Sequence, residues 1–295
     1  MRFAEGEARN YSESATSFEL AFVSGAGESA RRIVAIPDTS LASGDILRRD
    51  DLPLTVRVKS YWPNSLPSWR PPARRGDPPR DVGGVARYFD FAQEPETRNP
   101  DFRNVPTAVI ELEAAGRSLG TWVASAWAGD ETLAPAARKL FAREVGPETA
   151  PEVAARLLEP QTVEAAGKTW SLALRPARRY ESFSLTLLKT AHAEYRGTSI
   201  PKDFRSRVRI DNPETGERRE VDIFMNNPLR YRGLTFYQYQ MGTDELDPRR
   251  GTSTLEVVRN PSWLTPYAGC GIVGLGMVVQ FMMHLAGFVA RRRSA

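Results

Sequence analysis

Near its C-terminus the chain runs "YAGCGIVGLGMVVQFMMHLAGFVA", from Tyr267 to Ala290, without one formally charged residue. As a helix rising 1.5 Å per residue, this run spans about 36 Å, enough to cross a hydrocarbon layer of about 30 Å with some tilt. Trp263 and Tyr267 stand at one end, where amphipathic rings prefer the headgroup level, and Arg291, Arg292 and Arg293 stand at the other. A buried helix of a soluble protein rarely extends this far without charge, so residues 263–295 read as a C-terminal transmembrane helix with a basic tail. Positive charge is retained on the cytoplasmic side. That rule puts the C-terminus inside and the large preceding domain outside. The opening "MRFAEGEARNYSESATSF" has charges of both signs and no apolar core, unlike a signal peptide. Either the chain is tail-anchored against the charge rule, or it is a piece of a larger protein whose earlier spans are missing. The second is the expectation.

Several function classes fall away on composition. The net charge is +4, carried almost entirely by scattered arginines, with one denser patch between Arg70 and Arg87. A nucleic-acid surface needs a basic stripe with interleaved aromatics, and none is seen, so no nucleic-acid partner is expected. The single cysteine, Cys270, excludes an internal disulfide and any CxxC metal or redox motif. "GCGIVG" has the letters of a dinucleotide fingerprint, but it lies inside the apolar run and no carboxylate follows it. Small residues for close helix packing explain it better. No nucleophile elbow, zinc-protease helix or phosphate loop occurs. No catalytic residue and no metal site is therefore assigned, and the chain is not expected to be an enzyme by itself.

The rest of the chain is mainly β. "SFELAFV", "RRIVAIP", "LTVRVKSYW", "TAVIELE" and "SLGTWVAS" are short β-branched and aromatic runs separated by turn residues. Residues 66–106 are rich in Pro and Arg without a period, which predicts a long loop. Residues 132–159 carry alanine, leucine and charges at helical spacing, a small helical insert. "FRSRVRIDNPETGERREVDIFMN" reads as a hairpin, with Phe204, Ser206, Val208 and Ile210 on one face of the first strand. Val221, Ile223 and Met225 are expected on the buried face of its return strand. The fold class is thus an antiparallel β extracytoplasmic domain over 1–262, with a helical insert, followed by one transmembrane helix.

Two groups of residues stand out. Gly269, Gly276, Gln280, His284 and Gly287 share one stripe of the C-terminal helix. An ionisable residue at membrane depth commonly faces a bundle interior and has a function, and imidazole is a common haem ligand. A histidine near the headgroups, close to the arginines, is the plain alternative, and both readings stay open on composition. The other histidine, His192, reads as structural. In "NNPLRYRGLTFYQYQM", Leu234, Phe236 and Gln238 alternate with Thr235, Tyr237 and Tyr239. A strand with rings on both faces is either covered on both sides or presents Tyr237 and Tyr239 to a partner.

The ordered set "SIPKDFRSRVRI", "REVDIFMNNPLRYRGLTFYQYQM" and "LEVVRNPSWLTPYAGC" resembles ResB-like proteins of System II cytochrome c biogenesis. The resemblance covers the chain from about Tyr180 onward. "VAIPDTSL" and "LPLTVRVKSYWPNS" are also similar to that family, less specifically. The resemblance implies several membrane helices in the cytoplasmic (inner) membrane, a large extracytoplasmic domain, and a haem-handling partner of the ResC (CcsA) type. Together such proteins are held to present haem to the CxxCH motif of apocytochrome c. The implied cofactor is haem b, transient and shared with the partner. His284 occupies the place of a family histidine in the last span, with Gln280 on the same helix face. The family's N-terminal helices and tryptophan-rich haem motif are not in this sequence. The expected function is that of a membrane-anchored subunit assisting haem delivery and attachment outside the membrane. The alternative is a tail-anchored protein-binding scaffold that never meets haem.

Overall fold

The structure, a computed structural model, describes residues 1–25, 32–71, 81–99, 103–194, 201–243 and 249–293. Every strand pair whose register is described is antiparallel. The mainly β fold class, with few helices and one apolar C-terminal helix, is as expected. The chain divides into two compact units: Ser12–Arg179, and Met1–Tyr11 together with Tyr180–Ala295. The boundary falls within two long strands, β2 (Ala8–Ser24) and β11 (Lys168–Glu194). Where the sequence suggested a single β domain over 1–262, two cores exist.

In the Ser12–Arg179 unit, β4 (Ile46–Arg49), β5 (Leu52–Trp62), β8 (Thr107–Ala114) and β9 (Arg117–Ser125) form a four-stranded sheet. Leu54, Val56 and Val58 are buried at alternate positions of β5, as are Ala108, Ile110 and Leu112 of β8, the period of two that a half-buried strand requires. β3 (Arg32–Pro37) pairs with the end of β2. The Pro/Arg-rich stretch is more ordered than its composition implied. It holds most of β6 (Ser65–Trp69) and all of β7 (Phe89–Gln93), which pair with each other. Residues 72–80 and 100–102 of that stretch lie outside the described residues. After a helical turn, α1 (Ala126–Gly129), the expected insert appears as α2 (Ala134–Val145) and α3 (Ala150–Leu157), each with proline in its first turn. Phe141, Val153 and Leu157 turn into the core beside Trp170. β10 (Gln161–Ala165) then turns through Gly167 into β11.

Several glycines of this unit leave no room for a side chain, Gly84 among them. Gly84 sits at φ +60, and a Cβ there would overlap the Gln161 amide oxygen. That oxygen accepts from Val85 N (3.2 Å), while Gln161 Nε2 donates to the Val123 carbonyl (3.0 Å). The buried amide cannot move aside without losing both bonds. Gly84→Ala is expected to destabilise this unit by about 2 kcal/mol or more, read as a lowered unfolding midpoint.

The second unit is a sandwich. One face consists of β1 (Arg2–Ala4), β16 (Gly251–Arg259), β15 (Leu234–Thr243) and β14 (Leu229–Tyr231), in that order. The other consists of the later part of β11, β12 (Pro201–Asn212) and β13 (Glu217–Phe224). Phe3, Leu229, Leu234, Phe236 and Leu255 from the first face pack against Phe183, Leu185, Leu187, Val208, Ile210 and Ile223 from the second. The β12–β13 hairpin matches its sequence pattern, with Ser206, Val208 and Ile210 inward and Arg207 paired to Asp222 across the strands (2.9 Å). Met225 departs from it. It follows the end of β13, where the chain already turns, and is 52% exposed.

The unit ends in α4 (Thr265–Arg293), one continuous helix whose described side chains are exposed throughout. Thr265–Val289 is long and apolar enough to cross a membrane.

Candidate functional site

The distinctive stretch of the second unit is built by three local devices. Asn226 adopts φ +63 and Asn227 bonds back to Phe224 (N to O, 3.0 Å), so "MNNP" closes β13 into a turn. Arg232 and Gly233 follow at φ +47 and +75. Positive φ at both central residues gives the two-residue primed turn that joins tightly paired strands, here β14 and β15. Third, β15 bulges against β16 between Gln238 and Gln240, which leaves Tyr239 unpaired.

These devices sort the side chains of β15 onto two faces. Leu234 and Phe236 are buried; Phe236 meets Phe183 edge-on with ring centroids 6.2 Å apart. Gln238 continues on the inward face. Its Nε2 donates to Ser253 Oγ (3.1 Å) and to its own strand at the Gln240 carbonyl (3.2 Å). Its Oε1 accepts from the Ser206 hydroxyl of β12 (2.7 Å), and that hydroxyl stands 2.8 Å from Ser253 Oγ. The glutamine of "FYQ" is thus the polar tie between the two faces of the sandwich, at the place where the bulge begins. The alternation placed Gln238 on the buried face, but no sequence signal marked the bulge or the two serines, which come from distant strands.

Tyr237 is 42% exposed and Tyr239 67%. The strand is covered on one side only, and both rings face outward. β14 pairs with β15 only as far as Phe236, so from Tyr237 to Thr243 one edge of β15 has no strand partner among the described residues. The end of β15 borders a cleft of about 500 Å³ lined by Glu5, Thr190, Met241, Gly242, Thr243, Arg249 and Gly251. Glu5 Oε1 is already occupied there, accepting from Thr190 N (2.6 Å) and Oγ1 (2.7 Å). These two bonds hold the Glu5 side chain in place on the cleft wall.

At the other end of β15, the Tyr231 hydroxyl accepts from Asn212 Nδ2 (2.8 Å) and donates to Glu217 Oε2 (2.8 Å). With Arg219, it holds the Glu217 carboxyl below its ordinary value. The contribution of this carboxylate is complete above the value of an unfolded glutamate, about 4.3, and is lost as pH falls through the lower folded value. Glu217→Gln is expected to flatten the loss of stability as pH falls below about 4.3, measured by denaturant unfolding at each pH.

The expected haem residues lie on α4. Gln280 and His284 are one helical turn apart, both exposed, with Gly276 and Gly287 above and below them on the same stripe. The imidazole, with Gln280 a turn before it and Gly287 a turn after, offers one nitrogen ligand on an exposed helix face. This fits one side of a haem site shared with another helix, not a complete pocket. Among the described residues, no group of three metal-ligating side chains occurs. His192 pairs with Phe204 in the β11–β12 register, and its side chain lies outside the described residues. The structure thus gives two separate regions, the exposed rings of β15 and the polar stripe of α4.

Comparison with known proteins falls on the first of these. Residues 163–253 match the ResB-like family. The match runs from β10 into β16, so it contains the Gln238 tie and both exposed tyrosines, and it stops short of α4. Over 96 residues the chain is 32% identical to the protein NrfI of Wolinella succinogenes, a match covering 32% of this chain and 10% of that protein. The chain thus aligns with about a tenth of this relative's length. Over this segment the chain is similar to the ResB-like family, as "SIPKDFRSRVRI" and "REVDIFMNNPLRYRGLTFYQYQM" suggested, while "LEVVRNPSWLTPYAGC" begins just beyond the match.

Proposed function

We propose that this chain is a membrane-anchored subunit of a cytochrome c maturation complex, assisting haem delivery and attachment to apocytochrome c outside the cytoplasmic membrane. The observation that carries the reading is the ResB-like match over β10–β16, in a unit that continues directly into an exposed apolar helix. In this account α4 spans the membrane with Arg291–Arg293 on the cytoplasmic side. Its polar stripe faces a ResC (CcsA)-type partner. Small residues let the two helices approach closely, and Gln280 and His284 satisfy their polar atoms there rather than in lipid.

Haem b, when bound between the two proteins, supplies the vinyl groups that the cytochrome's own CxxCH thiols attack. The residues of this chain hold and orient. His284 would hold the iron through one ring nitrogen, and Gln280, one turn away on the same face, would limit how the imidazole turns. Outside, Tyr237 and Tyr239 give rigid amphipathic contact surface beside an open strand edge, the arrangement that binds an extended segment by strand addition. No side chain here need act as acid, base or nucleophile.

The test is to co-express the chain with a ResC-type partner, purify the complex from membranes, and record its visible spectrum. A Soret band that follows this chain supports the reading. An intact complex without haem favours the alternative, a tail-anchored scaffold with no role in haem handling. Protease accessibility in intact cells gives a second arm: the β units are digested from outside if the orientation is right, and only after lysis if they face the cytoplasm.

A further inference from the structure

The ends of the second unit are unlike each other, and chain connectivity decides which lies near the membrane. The β12–β13 turn, the β14–β15 turn and the exit of β16 gather at one end. Asn212 Nδ2 donates to the Tyr231 hydroxyl (2.8 Å), Arg232 pairs with Glu214 (3.0 Å), and Arg259 stands opposite Leu234 in register. From Arg259 the chain passes through Asn260–Leu264 and enters α4 at Thr265. Six residue steps reach at most about 20 Å. This end is therefore tethered beside the start of α4, where Trp263 (59% exposed) and Tyr267 (68%) stack edge-on. The cleft end, at Thr243, is farther from the tether by the length of β15, about 30 Å.

The tethered end carries surplus positive charge. Asp211 is shared by Arg209 (2.8 Å) and Arg218 (3.3 Å), so one carboxylate serves two guanidinium groups. Arg230 and Arg259 are exposed, and among the described residues neither takes part in an ion pair. Exposed guanidinium groups held close to a bilayer match lipid phosphates in charge and in bidentate geometry.

We infer that the β14–β15 end of this unit rests on anionic lipid headgroups through Arg230 and Arg259, standing the unit upright with its cleft away from the membrane. This rests on the reading of α4 as a membrane span. Each arginine shifts the docked-to-undocked ratio about fivefold, the effect of one basic residue at an anionic surface.

The full chain in lipid nanodiscs tests it. In a Cys270→Ser background, Thr215→Cys in the β12–β13 turn or Thr243→Cys at the cleft end takes a fluorophore, and the discs contain phosphatidylglycerol and a lipid with a headgroup nitroxide quencher. Severalfold stronger quenching at position 215 than at 243, reduced by Arg230→Gln with Arg259→Gln and by neutral lipid, is expected. Equal quenching at both positions in disc-bound protein overturns the proposal. So does quenching at 215 that ignores lipid charge and both arginines. A chain that fails to co-elute with the discs overturns the span reading and the proposal together.

Discussion

Phe236→Ala is expected to cost the second unit about 3–5 kcal/mol, while substitution of the next residue, Tyr237→Ala, costs under about 1 kcal/mol. Phe236 is fully buried, packs edge-on against Phe183, and sits at the point where β14, β15 and β16 are all paired. Its removal leaves a cavity between the two faces of the sandwich that neither can close, because β15 is paired on both sides there. Tyr237 projects outward from the same strand and leaves no void. Hydrogen exchange of the β15 and β16 amides, in detergent or nanodiscs, separates this unit from the other. Phe236→Ala should accelerate exchange across both strands and Tyr237→Ala should not. The pair also separates stability from recognition. Tyr237→Ala with Tyr239→Ala should leave exchange near wild type and lower capture of an apocytochrome c segment at least tenfold, because two exposed rings at the centre of a contact carry much of its energy. Undiminished capture would remove the tyrosines from the docking surface.

His284→Ala is the second large effect. If its imidazole holds the iron from this chain's side, the mutant complex retains its subunits and loses or shifts its Soret band. Gln280→Ala should give a smaller shift, since it acts through the orientation of the imidazole. Exogenous imidazole should restore part of the His284→Ala spectrum by filling the vacated ligand position, a rescue that a helix-packing role would not show. Equal haem in wild type and mutant would return His284 to the headgroup region.

The parts of the fold that were legible in the sequence are those governed by local period. The alternation of "FRSRVRI" became the buried Ser206, Val208 and Ile210, and the uncharged run became one uninterrupted helix. What escaped was set by contacts between distant segments. Met225 fits the alternation but falls where Asn226 and Asn227 have already turned the chain, so it points to solvent. The Pro/Arg-rich stretch has no period of its own, yet Phe89 of the β6–β7 pair packs on Phe141 of α2, with ring centroids 5.5 Å apart. A two-stranded ribbon needs such a tertiary anchor and leaves little pattern in its sequence. In the site, alternation gave the faces of β15 but not the bulge that frees Tyr239, because a bulge depends on how two strands pair rather than on either alone. His284 and Gln280 were placed on one face by spacing, and the structure keeps them there.

The measurement that tests the account most directly is covalent haem in c-type cytochromes when the gene for this chain is deleted and then restored. Haem-stained cytochrome c should be lost on deletion and should return with the wild-type chain. Restoration by a variant truncated before Thr265 should fail, because the β units alone are then unanchored. Normal amounts of haem-bearing cytochrome c in the deletion strain, with no second ResB-like chain in the cell, would contradict a role in maturation and leave the protein a scaffold.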